Sequence, residues 1–191
     1  SEDAYSRFAE LEDIFRRYGE RYRFEYLLLA AQGYQESRLD QSARSASGAV
    51  GIMQIKPSTA RDPNVDIHDI HEVESNIHAG TRYMHFLRDR YFSEDGMDDT
   101  NRWLMSLAAY NVGPGRMIEL REKAKKLGYD PNLWFDNVEI AAAKYVGREP
   151  VQYVANVYKY YLAYLLTAEQ LHRRSEARQR VGMEPLAPKG G

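Results

Sequence analysis

A chain of 191 residues with 43% hydrophobic and 28% charged side chains has room for one domain with a real core. Its formal net charge of −2 leaves no cationic excess to neutralise phosphates, which argues against nucleic acid as a partner. Zero cysteines exclude disulfides, thiolate metal sites and thiol nucleophiles, and no apolar run reaches transmembrane length. Fifteen tyrosines suit carbohydrate stacking as well as their ordinary role in packing.

Nearly every segment predicts helix. Residues 4–18 place Phe8, Leu11, Phe15 and Tyr18 on one face. From Phe24 to about Glu36 the chain is apolar nearly all round, the pattern of a buried central helix. Residues 50–55 suit a very short extended pair, Pro57 opens a short helix, and 62–71 is a loop broken by Pro63. An amphipathic helix over 73–92 carries Val73, Ile77, Gly80, Met84, Leu87 and Tyr91 at three- and four-residue spacing. After an acidic turn at 93–100, a buried helix over 103–111 stops at Gly113-Pro114-Gly115. Helices over 117–127, with Gly128 as C-cap, and over 134–145 follow. A broad stripe from Val154 to Leu165 sets the last helix at 151–171. Beyond it the arginines, prolines and glycines of 173–191 offer no core, so 1–172 is expected as the folded domain and 173–191 as a flexible polar tail. The fold is mainly α, in one domain.

Glu36 is the acid most suited to chemistry. At 100° per residue Leu29 lies about 20° from it and Gly33 about 60°. The carboxyl thus shares a face with an apolar side chain and with a gap. Poor solvation and the negative end of a helix dipole both favour the protonated form that a general acid needs. A surface Glu paired with Arg38 or Arg44 is the plainer alternative. Next, Gly48 and Gly51 bracket a tight loop whose backbone amides can approach a ligand. Met53 offers an adaptable wall and Gln54 an amide for a hydroxyl or acetamido group. Tyr110 and Asn111 end a buried helix just before Gly113, in reach of the same cleft.

These three ordered motifs, Glu36-Ser37, Gly48-x-x-Gly51-Ile52-Met53-Gln54 and Ala109-Tyr110-Asn111, resemble the catalytic domain of the lytic transglycosylases, a lysozyme-like domain related to goose-type lysozymes. The resemblance runs from about Phe24 to Leu166 and is nearest in character to the membrane-bound F type, whose catalytic domain follows a solute-binding-protein-like domain. It implies that Glu36 is the sole acid/base and that Ser37 orients it. It also implies that the loop with Met53 and Gln54 lines the sugar subsites and that Tyr110 and Asn111 stand beside the carboxylate. Glu149 and Tyr153-Val154 match a fourth family element, with Val151 where an Arg is frequent. The resemblance further implies action on peptidoglycan glycan strands and muropeptides, no cofactor, a periplasmic site facing or attached to the outer membrane, and an N-terminal solute-binding-like regulatory domain outside this chain.

Two other functions stay open on the residues alone. A goose-type hydrolase would use a second acid to activate water, with Asp40 the nearest candidate, and an inactive wall-binding module would keep only the cleft. Asp66-x-His68-Asp69-x-His71 offers metal-ligand types, but without a complete calcium-loop pattern; polar loop residues are the default there.

Overall fold

The computed structural model describes residues 2–183, with side chains from Tyr5 onward. Helix α1 spans Glu2–Tyr22 and α2 spans Tyr26–Ser37; α3 is the short Pro57–Arg61 turn and α4 runs Val73–Tyr91. Helices α5 (Asp99–Val112) and α6 (Pro114–Lys126) form a tight pair, followed by α7 (Glu139–Tyr145) and the long α8 (Arg148–Arg180). The architecture is mainly helical, as the sequence pattern implies.

Helix α2 is the axis of the core. It buries Leu27, Leu29, Ala30, Ala31, Gln32 and Gly33, and α8 is its most extensive partner. The small residues on α2 let α8 approach closely, while α1 brings Phe8 and Phe15 to the same core. Helix α4 adds Met84 and Leu87, α5 adds Leu104 and Leu107, and α8 adds Val154 and Val157. Complete burial of one such leucine removes enough apolar surface from water to contribute about 1.5–3 kcal/mol.

The structure differs from the periodicity at element ends and at one interior break. Helix α5 begins four residues before Trp103 because the Asp98 side chain caps the Asn101 amide at 2.8 Å. Helix α6 begins at Pro114, whose missing N–H costs nothing at a first helical position. The expected helix over 134–145 is broken: Phe135 is extended and Asp136 left-handed, in a wide turn over Trp134–Val138. Burial of Trp134, its amide donating to Asn101 Oδ1 at 2.8 Å, overrides local propensity there. Helix α8 continues past Leu171 to Arg180 as a solvated end, with the exposed His172–Glu176 pair one turn apart. The polar segment is therefore helical over 173–180, and its last residues, 184–191, lie outside the described residues. The extended pair at 50–55 is limited to isolated bridges, Val50 and Ile55 exchanging both backbone hydrogen bonds at 3.0 and 3.2 Å.

Candidate active site

Glu36 is the penultimate residue of α2, one turn from a fully buried Gln32. The helix stops because Arg38 turns left-handed and returns its amide to the Gly33 and Tyr34 carbonyls. Tyr153, one turn into α8, donates its hydroxyl to Glu36 Oε1 at 2.5 Å. Burial pushes the Glu36 carboxyl up to about 7, against the opposing pull of that hydrogen bond. Neither nearby arginine neutralises it. The Arg38 guanidinium bonds the Tyr160 hydroxyl at 2.9 Å and lies over the Tyr34 ring, while Arg44 donates to the Gln41 and Ala43 carbonyls.

The loop after α2 is built around backbone groups that side-chain amides satisfy. Asn76, fully buried on α4, accepts the Met53 amide at 2.8 Å and donates to the Val50 and Ile70 carbonyls. Gln41 accepts the Ile52 amide at 3.1 Å and donates to the Ile70 and His71 carbonyls. Ser37 donates to the Ile52 carbonyl at 2.9 Å or to its own Gly33 carbonyl at 3.1 Å, and accepts the Asp40 amide. It ties the loop to the end of α2 and makes no hydrogen bond to the Glu36 carboxyl among the described residues.

Several residues expected to meet a ligand make internal contacts. Met53 is completely buried: it packs where Gly80 of α4 and Gly33 of α2 lack a Cβ, so its side chain is no wall of an open cleft. The gap expected beside Glu36 at Gly33 is likewise filled by Ile52 and Leu39. Gly51 has a positive φ of 75°, and an added Cβ would lie 2.5 Å from Asn76 Nδ2 and 2.6 Å from the Gln41 amide. Its close approach is thus to its own scaffold. Gln54 donates Nε2 to the Gly51 and Ala43 carbonyls at 2.9 and 3.2 Å, stapling the loop with the group that was expected to meet a sugar. Gly48 sits at the exposed tip with φ 87° and open space beside it.

The two residues ending α5 divide. Tyr110 donates to the Met53 carbonyl at 2.6 Å, and burial, then the Glu36 charge, holds its hydroxyl well above the ordinary range. Asn111 keeps a buried Oδ1 with no partner among the described residues. Glu149 occupies the first turn of α8 but is exposed, and its side chain makes no hydrogen bond among the described residues. The desolvated site thus gathers Glu36, Tyr153 and Tyr110, with Asn111 beside Tyr110 in sequence. Asp40 is exposed, its carboxyl held low by hydrogen bonds from the Ser42 hydroxyl and amide. His68 pairs with Asp66 in an exposed contact, while His71 Nδ1 meets Arg44, so the loop histidines do not converge. Separately, an open groove of about 770 Å³ lies at the far pole, where Phe24, Glu25, Trp103 and Tyr161 meet. That is the opposite end of α2 from Glu36.

Sequence reasoning passed over Gln41, Asn76 and Gln32. Gln32 carried a signal, being the one strongly polar residue between Tyr26 and Gly33. Asn76 and Gln41 had none, since an amide on an amphipathic helix or in a loop is ordinary.

The transglycosylase SLT domain model matches residues 13–133. The chain belongs to that family. Membrane-bound lytic murein transglycosylase F of Maricaulis maris is 39% identical over 161 residues, 78% of this chain and 34% of its own length. A protein named membrane-bound lytic murein transglycosylase F 1, from Alkalilimnicola ehrlichii, is 36% identical over 185 residues, 90% of this chain and 37% of its own length. The chain therefore spans about a third of the length of these curated relatives. Among solved structures, an inactive glutamate-to-glutamine mutant of the lytic transglycosylase Slt from Pseudomonas aeruginosa superposes with a TM-score of 0.60 at 25% identity. That match covers 93% of this chain and 25% of the other. No helix among the described residues is long and apolar enough to cross a membrane.

Proposed function

We propose that this domain is a peptidoglycan lytic transglycosylase in which Glu36 acts alone as acid and then base. The observation that carries the reading is a single carboxyl, raised to about 7 by burial and held by Tyr153, with no cation paired to it among the described residues. Most glycosidases need two carboxylates across the scissile bond. One suffices when the substrate supplies the second nucleophile. Glu36 gives its proton to the glycosidic oxygen between N-acetylmuramic acid and N-acetylglucosamine, and the latter leaves with its hydroxyl restored. The neighbouring N-acetyl group stabilises the positive charge at the anomeric carbon. Glu36, now a carboxylate, takes the proton of the C6 hydroxyl as that oxygen closes on the anomeric carbon. The 1,6-anhydromuramoyl end forms, Glu36 is reprotonated and no water is consumed. Holding the hydroxyl in reach replaces a second catalytic group by orientation.

A carboxyl of pKa near 7 suits both halves of this cycle, because neither its proton nor its vacancy is scarce at neutral pH. Tyr153 steadies the ionised half. The inactive glutamate mutant named for the Pseudomonas aeruginosa structure supports the same reading of Glu36. The relatives' names support a place in the bacterial cell envelope, which we take as the periplasm facing the outer membrane, with further domains beyond this chain. Mass spectrometry of products from purified peptidoglycan tests the reaction. Anhydro ends are expected; products heavier by one water would replace the transglycosylase with a hydrolase.

A further inference from the structure

Gln32 is an expensive residue in its place. It lies on α2 one turn before Glu36, is completely buried, and neither Nε2 nor Oε1 has a partner in hydrogen-bond geometry among the described residues. Its neighbours on the same helix are Leu29, Ala30, Ala31 and Gly33, all buried. An apolar side chain of similar length would fill the space without stranding an amide, since a buried polar group is favourable only when it is paired. The neighbour that gives the amide a purpose is Tyr153 of α8, which bonds Glu36 and whose hydroxyl lies near enough for Gln32 to pull it down.

We propose that Gln32 is a positioning residue that acts on Glu36 through Tyr153, its amide turning to donate to Tyr153 Oη while Tyr153 donates to the Glu36 carboxylate. Donation into a phenol oxygen makes its own O–H a stronger donor, because successive hydrogen bonds polarise one another. The direction agrees, for Gln32 pulls the Tyr153 hydroxyl down against the larger upward effects of burial and the Glu36 charge. The amide therefore strengthens Tyr153's hold on the ionised form of Glu36, the form needed when the C6 hydroxyl loses its proton. It does not touch substrate. This role rests on the reading of Glu36 as acid and base.

The groups facing Glu36 leave that route clear. From α8 it is Tyr153, and from α5 it is Tyr110, with Tyr83 of α4 behind that ring. Arg38 at the helix end is engaged by Tyr160 and Tyr34, Arg44 in the loop by carbonyls, and Asp40 by Ser42. Glu149, one turn before Tyr153, is exposed. Burial and the Tyr153 bond account for the Glu36 shift.

The test is Gln32→Met, which keeps length and removes the amide, with Gln32→Leu read in the same way should the first fail to fold. Glu36 is followed by carbon-13 NMR of its labelled carboxyl, independently of turnover, and kcat and KM are measured across pH. The expected result is a Glu36 midpoint moved upward, the alkaline limb of kcat moved with it, and a melting temperature equal to or above that of the parent. We expect kcat to fall about 3- to 10-fold with KM nearly unchanged. In a Tyr153→Phe background the same substitution should no longer move the midpoint. An unmoved midpoint in folded Gln32→Met overturns the proposal. So does an equal movement with and without the tyrosine hydroxyl, which would mean that Gln32 does not act through it. Retained turnover in Glu36→Gln would instead sink the catalytic reading, and the NMR midpoint keeps the two failures apart.

Discussion

Helix α2 carries an acid at each end, and the two are treated differently. Glu25 precedes the first turn and folds its carboxyl back to accept the Leu27 amide at 3.3 Å. Glu36 sits in the last turn and accepts only a tyrosine hydroxyl. Burial is the largest influence on both and raises both. At Glu25 it is opposed by the Leu27 and Leu28 amides and by the charge of Arg16, whereas Glu36 has Tyr153 alone. A helix start offers free N–H donors that favour a carboxylate, and a helix end has none to give. One helix therefore makes a cap at one pole and, on the proposed reading, a proton carrier at the other.

The sharpest way to break this comparison is to remove the carboxyl at each end in turn. Glu36→Gln should lower turnover of purified peptidoglycan by at least about 10²–10⁴-fold with the fold intact. Glu25→Gln should keep activity within about twofold and weaken the helix start by about 1 kcal/mol, seen as a lower melting temperature. Comparable inactivation by both would dissolve the distinction.

Stability against pH sharpens it further. The Glu36 carboxyl rises from 4.5 to about 7 on folding, so its proton stabilises the native state fully below about pH 4.5. That contribution is lost as pH rises through about 7, where an ionised carboxyl stays desolvated. Glu36→Gln should therefore match the parent at acid pH and exceed it by on the order of 2–3 kcal/mol above pH 7, by denaturant titration. No gain at alkaline pH would mean that Glu36 is better solvated than its surroundings indicate.

Tyr153→Phe removes the only hydrogen bond among the described residues that favours the Glu36 carboxylate. The Glu36 titration should move upward, carrying the alkaline limb of the rate profile with it, and kcat should fall about tenfold. An unchanged limb would place the hydroxyl outside the proton-transfer path. Glu149→Gln should do least. Its exposed side chain has no partner among the described residues, so activity within about threefold and an unchanged melting temperature are expected.

Much of the fold was legible because α2, α4 and α8 carry apolar spacing that only a helical core explains. The turn at Trp134–Val138 was not, because its cause is a buried indole and an Asn101 carbonyl oxygen contributed from 33 residues away. Within the site, Glu36 could be found from one apolar helix ending in an acid. The loop motif was visible too, but its chemistry was assigned to a ligand when much of it serves the loop. Met53, Gln54 and Gly51 spend their special properties on Gly80, the Ala43 carbonyl and the Asn76–Gln41 amides. Sequence pattern marks residues under tight constraint; it does not say whether the constraint is a sugar or a neighbouring helix.

The amide lattice around residues 50–55 has a consequence for how a glycan is met. Backbone groups from Val50, Ile52 and Met53 are already bound by Asn76 and Gln41, and the Tyr110 hydroxyl clamps the Met53 carbonyl. Such a segment has surrendered its freedom before any ligand arrives. Hydrogen exchange at the Ile52 and Met53 amides should be slow in the empty protein and change little on addition of glycan. Where the proposed glycan site abuts this loop, association carries no ordering entropy from it, and the heat-capacity change should reflect buried sugar and aromatic surface without a contribution from coupled folding.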